Sequence, residues 1–285
     1  MSQTMNRKYH KTYFLLFLWM AIWILSCSDS PFVEEIKENS TEIIEGTVKL
    51  AENENPGGVY IWLEDTQLNT FTDGNGEFKL ILPQSNSLEN GIFRLFYYVA
   101  NYKLSSSSLV VNKGKFILSR GDLDNKGKLV GTKSLVKLLR IKTDVNPVTV
   151  DRNYEGPIQV LVTLQAMQDS VQVVLPKSIE GSRSAIIFSR DGQVNPIVLN
   201  NNNSFVLSNH KIGNEEEILK YGFTLSSGLL PNGTYQIIPY FLIIQDELPV
   251  ELIASIDSAA ETFGPNFLKI PFKREGGMFV IIQEL

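Results

Sequence analysis

The stretch that decides the fold is GGVYIWLEDTQLNTFTDGNGEFKLILP, Gly57 to Pro83. Val59, Ile61 and Leu63 alternate with Tyr60, Trp62 and Glu64, and Phe78, Leu80 and Leu82 alternate with Glu77, Lys79 and Ile81. A period of two puts alternate side chains on opposite faces, so both runs read as strands that bury one face. Gly57-Gly58 and Asp73-Gly74-Asn75-Gly76 supply turn residues before and between them, because Gly and Asn accept the positive backbone angles of tight turns.

The pattern extends in both directions. Ile44, Gly46, Val48 and Leu50 alternate with Glu45, Thr47 and Lys49 upstream, and Lys113-Gly114 marks a further turn downstream. Helix-like spacing is confined to Leu135, Leu138 and Leu139 and to Ile256–Thr262. The expectation is therefore an all-β protein, with sheets paired as sandwiches. Glu45 to Pro83 resembles the carboxypeptidase regulatory-like domain, through Gly46 and Val48, Gly58-Val59-Tyr60-Ile61, and Thr72-Asp73-x-x-Gly76-x-Phe78 leading to Pro83. The resemblance implies a transthyretin-like sandwich without catalytic machinery, a structural or binding module.

From about Val150 a second series runs through Gly156-Pro157-Ile158 to Leu164, Val171 to Leu175, Ile186-Ile187-Phe188 with Arg190-Asp191-Gly192, and Pro231-Asn232-Gly233-Thr234-Tyr235. This order resembles the immunoglobulin-like domain of BsuPI-type proteinase inhibitors. Three runs beyond Pro249, at Val250–Ile256, Phe267–Phe272 and Met278–Ile282, read as strands that complete the sheet. Asn146-Pro147 marks a break, and the boundary between the domains is placed at Asp144. The organisation is then a signal over residues 1–26, a tether over 27–41, the regulatory-like sandwich with its following linker over 42–143, and the immunoglobulin-like sandwich over 144–285.

At the other end of the chain, Arg7, Lys8 and Lys11 precede an apolar stretch from Tyr13 to Leu25, and no acid appears before Asp29. Such a stretch is too short to span a bilayer, which takes about 20 helical residues, and the layout is that of a secretory signal. Ile24-Leu25-Ser26-Cys27 resembles the lipobox of bacterial lipoproteins, which implies that Cys27 is acylated and becomes the new N-terminus. Several chains on one sulfur and its amine hold a protein durably where one chain does not. Ser28 in the next position points, by analogy with lipoprotein sorting, to the outer membrane, and the expected localisation is the bacterial cell envelope.

Removing residues 1–26 takes away three basic residues and no acid, which changes the net charge from −5 to −8. That surface repels phosphate backbones and disfavours nucleic acid as a partner. Cys27 is the sole cysteine and His210 the sole histidine after Cys27, so a zinc site built from those residues and an intrachain disulfide are both excluded by inventory. Asp73–Glu77 and Asp122–Gly127 imitate calcium loops. The second has Lys126 where an oxygen should stand and Lys133 where a closing carboxylate is needed, and turn chemistry accounts for the first. No catalytic residue, metal ligand or cofactor is assigned. Ser134–Lys137 and Ser208–Lys211 match Ser-x-x-Lys without its companion motifs, and Glu215-Glu216-Glu217 reads as a solvated acidic turn.

The candidate ligand contacts are Tyr60 and Trp62. They face away from Val59, Ile61 and Leu63, toward solvent, a neighbouring domain or a ligand. An exposed pair would suit stacking on a sugar ring or a partner surface. The simpler reading has Trp62 covered by the second domain or by Tyr97–Lys103, since large aromatics are mostly buried. The expected function is that of a membrane-anchored, non-catalytic binding or structural module for a protein or glycan. The first alternative is a proteinase inhibitor presenting Pro176–Arg183 or Gly192–Asn203, and the second a hydrolase.

Overall fold

Val59, Ile61 and Leu63 do share one buried face, and Tyr60 and Trp62 the opposite one, but that opposite face is buried as well. This double burial organises the molecule. The computed structural model describes residues 39–82, 88–177, 185–190, 197–199 and 206–283, and all statements below concern these. The signal, Cys27 and the tether up to residue 38 lie outside them. Ser40–Leu285 forms one unit by its internal contacts.

Among the described residues the first sandwich has a six-stranded sheet in the order Ser40–Thr41, Lys115–Ile117, Ser105–Asn112, Gly91–Tyr98, Tyr60–Leu63, Asn69–Phe71. Its companion sheet has the order Glu77–Ile81, Ile43–Leu50, Lys133–Leu135. Between them lies a core that includes Ile44, Val48, Ile61, Phe78, Leu95, Tyr97, Leu109 and Phe116. The last strand pairs parallel to Ile43–Leu50, with Val48 opposite Lys133 and Leu50 opposite Leu135. The residues after Asp122 thus belong to the first sandwich, and Leu135 has a strand's conformation where its spacing suggested a helix.

The motif Thr72-Asp73-x-x-Gly76 has a mechanical explanation. The Thr72 hydroxyl accepts from Val59 N–H at 2.9 Å and donates to Pro56 C=O at 2.5 Å. Asp73 Oδ1 accepts from the N–H groups of Asn75 and Glu77, both at 2.9 Å. Gly76 has φ +81°, and a Cβ there would fall 2.1 Å from Val48 O, so no other residue fits. The turn carries the chain from the six-stranded sheet to its companion. Lys113 and Gly114, with φ of 49° and 72°, make the two-residue turn joining Ser105–Asn112 to Lys115–Ile117.

In the second sandwich a four-stranded sheet has the order Glu217–Leu225, Gly156–Ala166, Leu139–Asn146, Glu275–Gly276. Facing it are a five-stranded sheet, Thr149–Asp151, Met278–Ile282, Gly233–Pro239, Ile186–Arg190, Ile197–Leu199, and a three-stranded one, Val206–Ile212, Val171–Lys177, Leu242–Ile243. Leu139 pairs with Ala166 and Leu139 and Ile141 enter the second core, so strand pairing places the change of sandwich at Leu139, five residues ahead of Asp144.

A third apolar layer lies between the sandwiches. Tyr60, Trp62, Phe96 and Tyr98 from the six-stranded sheet, with Ala100 just beyond it, share this layer with Ile187 and Ile238 from the five-stranded one and with Ala185 and Tyr240 at the ends of its strands. Alternate neighbours of the same strands, such as Ile61, Tyr97, Phe188 and Ile237, serve the two flanking cores. Val250–Ile256 is an α-helix, not a strand, and buries Leu252 and Ile253 against this layer. Glu251 lies in its first turn, where a negative charge suits the positive end of the helix dipole. Pro265–Lys269 is a 3₁₀ helix whose Phe267 joins the layer, where a strand was expected over Phe267–Phe272. Met278–Ile282 is the one of the three C-terminal runs that extends a sheet, pairing with Gly233–Pro239 and Thr149–Asp151. The fold is all-β.

Candidate functional site

Tyr60 is 1% and Trp62 2% exposed, which closes the aromatic face to any stacking ligand. Trp62 stacks on Phe96 with ring centroids 5.8 Å apart and donates its Nε1–H to Thr66 C=O at 2.9 Å. The Tyr60 hydroxyl meets Ser255 Oγ, on the helix, at 2.9 Å. Their place is the interlayer, and the candidate ligand role is withdrawn. Cys27 lies outside the described residues, as does most of the two stretches named as inhibitor loops.

Polar side chains cross the junction where the layer ends. Asn101, fully buried, donates from Nδ2 to Leu139 C=O at 3.0 Å and Lys273 C=O at 2.9 Å, and its Oδ1 accepts from Lys273 N–H at 2.9 Å. Gln245 donates to Ala100 C=O and Tyr102 C=O, each at 3.0 Å, and accepts from Leu104 N–H. Each amide stands in for a strand partner, which satisfies backbone groups that the junction would leave unpaired.

Beside them sits an ionic cluster. Lys137, with 3% of its side chain exposed, reaches Glu52 at 2.6 Å and also pairs with Glu54. Arg140 binds Glu52 at 2.8 Å, and the Tyr102 hydroxyl donates to Glu54 at 2.5 Å. Burial alone would pull the Lys137 ammonium down, but the two carboxylates outweigh it and its pKa lies above the ordinary value. Hydrogen bonding to Lys137 holds Glu52 below the ordinary carboxylate range, and burial followed by the nearby Glu54 drives the Tyr102 phenol up. Every charge here has a partner, so the chemistry is that of a clamp that ties Glu52–Glu54 to Lys137 on the connection and, through Arg140, to the first strand of the second sandwich. Arg274 is different. Its guanidinium lies 3.9 Å over Phe272 and 5.4 Å over Phe267, and Nε and Nη2 are screened from solvent with no acceptor among the described residues. Burial lowers its pKa.

The carboxylates of the imitation calcium loops hold backbone. Asp124 Oδ1 takes N–H from Lys126 at 2.7 Å and Lys128 at 2.8 Å, which lowers its pKa, and Asp122 Oδ2 takes Ser108 N–H. His210 contacts Glu217 at 2.6 Å across the acidic turn.

Open concavities among the described residues include one of about 460 Å³ beside Glu45, Thr47, Glu77 and Lys79 on the companion sheet of the first sandwich. A cleft of about 580 Å³ lies at the junction, bordered by Lys103, Gln168, Gln172, Lys211, Gln245 and Asp246 among others. A groove of about 840 Å³ runs over the outer face of the four-stranded sheet. Its border includes Tyr154, Pro147 and Pro157 together with Asn146, Gln159, Lys220 and Thr224, and Gly222 lies on its floor. Sequence reasoning missed this groove, although Tyr154, Gly156 and Gly222 were visible as an aromatic and two strand glycines.

The class defined so far is an all-β protein of two sandwiches joined through an aromatic layer. No family model matches the chain, and no curated protein matches it. Among solved structures, the Bacillus anthracis TIE protein is similar at 10% identity and a TM-score of 0.24, covering 86% of this chain and 51% of that one. CBD12 from CALX1.2 is similar at 9% identity and a TM-score of 0.19, covering 85% and 94%. The chain thus spans about half the length of the TIE protein chain. The fold assignment rests on the strands and their pairing.

Proposed function

We propose that this chain is a lipoprotein of the bacterial cell envelope, held through acylated Cys27, whose two sandwiches act as a non-catalytic binding module. On this reading the first sandwich is the regulatory-like domain and the second the immunoglobulin-like one that their motifs resemble. The observation that carries the reading is how the faces are used. The six-stranded sheet and the five-stranded sheet spend their outer faces on each other through Trp62, Tyr60, Phe96, Ile187 and Ile238, while the outer face of the four-stranded sheet stays open and carries a groove. A fused support that leaves an outer sheet face concave is a suitable platform for holding a ligand away from a membrane, and grooves with a few polar groups on apolar walls are where ligands bind. The lipid anchor is supported by the charge and apolar pattern of residues 7–27.

Fractionation of expressing cells tests this. Wild type is expected in the membrane pellet and released by detergent, and Cys27→Ala in the soluble fraction or retained only by an uncleaved signal. Equal, detergent-independent solubility of both would defeat the proposal.

A further inference from the structure

We infer that the groove over Gly222 is an oligosaccharide-binding site, an inference that rests on the binding-module reading and names its ligand class. Gly222 lies within the strand Glu217–Leu225, opposite Gln159 and between Lys220 and Thr224 on the same face. Its φ is not in the left-handed region, and a Cβ built there meets nothing nearer than Ile158 O at 3.8 Å. Neither the backbone nor the packing asks for glycine. A glycine in a strand weakens it, and such positions mark places where something approaches the backbone closely. Here the missing side chain leaves the floor of an 840 Å³ groove bare.

The border supplies the chemistry. The Tyr154 ring is fixed: its hydroxyl donates to Pro157 C=O at 3.1 Å, and a Cβ on Gly156 would come within 2.7 Å of the ring atom Cζ, so that second glycine lets the ring lie close. A held aromatic ring is a preorganised platform for the C–H face of a sugar. Asn146, Gln159, Lys220 and Thr224 have no side-chain hydrogen-bond or ion-pair partner among the described residues, which leaves amide, ammonium and hydroxyl groups for a fringe of sugar hydroxyls. No carboxylate borders the groove, which argues against a basic peptide. Its open course along a sheet suits a chain.

The test uses the full-length protein in detergent on an array of neutral and acidic oligosaccharides, followed by calorimetry with the strongest binder. The wild type is expected to bind. Gly222→Val, a β-branched residue suited to a strand, is expected to unfold at or above the wild-type midpoint yet lose at least tenfold in affinity, and Gln159→Ala to lose affinity without change in midpoint. The inference is overturned if the wild type binds no oligosaccharide, if Gly222→Val keeps its affinity, or if that variant unfolds below the wild type, which would make the glycine structural. Any of these leaves membrane attachment through Cys27 standing, since fractionation reads that separately.

Discussion

Replacing Trp62 by alanine probes the layer that joins the sandwiches. A tryptophan of this kind buries about 200 Å², which at about 25 cal/mol per Å² is about 5 kcal/mol. A compact denatured chain already hides part of that surface, while the cavity left behind adds to the loss. The expected cost is therefore about 3–5 kcal/mol. The stack on Phe96 and the contacts with the second sandwich are lost together, so cooperativity should change as well. Chemical denaturation followed by far-UV circular dichroism is expected to show one transition for the wild type. For Trp62→Ala it should show two, with the sandwiches unfolding separately. Once residues 1–26 are removed, Trp62 is the only tryptophan, so intrinsic emission of the processed wild type should be that of a shielded indole and shift to the red in that single step. A cost below about 1 kcal/mol with an unchanged single transition would refute the reasoning, because it would mean that the ring is not packed between the sandwiches.

Lys137→Met should destabilise by about 2 kcal/mol, below the 3–5 kcal/mol of a fully buried broken pair, because Glu52 and Glu54 keep 38% and 24% exposure and can rehydrate. Glu52 has a lowered pKa in the folded state, so its contribution is present above its unfolded value near 4.5 and fades as pH falls through the lower folded one. Acid titration of stability should accordingly be shallower in Lys137→Met than in wild type below about pH 4.5, and parallel curves would contradict the clamp. Gly76→Ala sets a Cβ against Val48 O at a positive φ and should cost more than about 2 kcal/mol in the same denaturation assay; a neutral effect would mean the turn has another geometry.

Much of the fold was legible in local pattern. Val59–Leu63 and Glu77–Ile81 alternate as strands should, and the Thr72–Gly76 turn could be read from residues whose roles are all local. The interlayer left a signal too. Leu95-Phe96-Tyr97-Tyr98-Val99-Ala100 and Ala185-Ile186-Ile187-Phe188 are unbroken apolar runs, the mark of strands buried on both faces, and they place a second buried surface opposite Ile61 and Tyr97. Val250–Ile256 misled because its β-branched and apolar residues favour a strand locally, whereas packing of Leu252 and Ile253 on the interlayer favours a helix. The partners of Lys137 could not be read at all. Glu52 and Glu54 lie 85 and 83 residues away, and it is the parallel pairing of Leu50 with Leu135, between strands far apart in sequence, that leads Glu52 and Lys137 out side by side. The groove was equally hidden, since Gly222 becomes a floor only once Tyr154 and Gln159 are known to border the same concavity.

The most direct measurement is the intact mass of the protein purified from membranes, with sequencing of its N-terminal peptide. The account predicts a chain that starts at Cys27 and carries a thioether-linked diacylglycerol, with or without a further acyl group on its amine. A free thiol at Cys27, or a chain still starting at Met1, would contradict it.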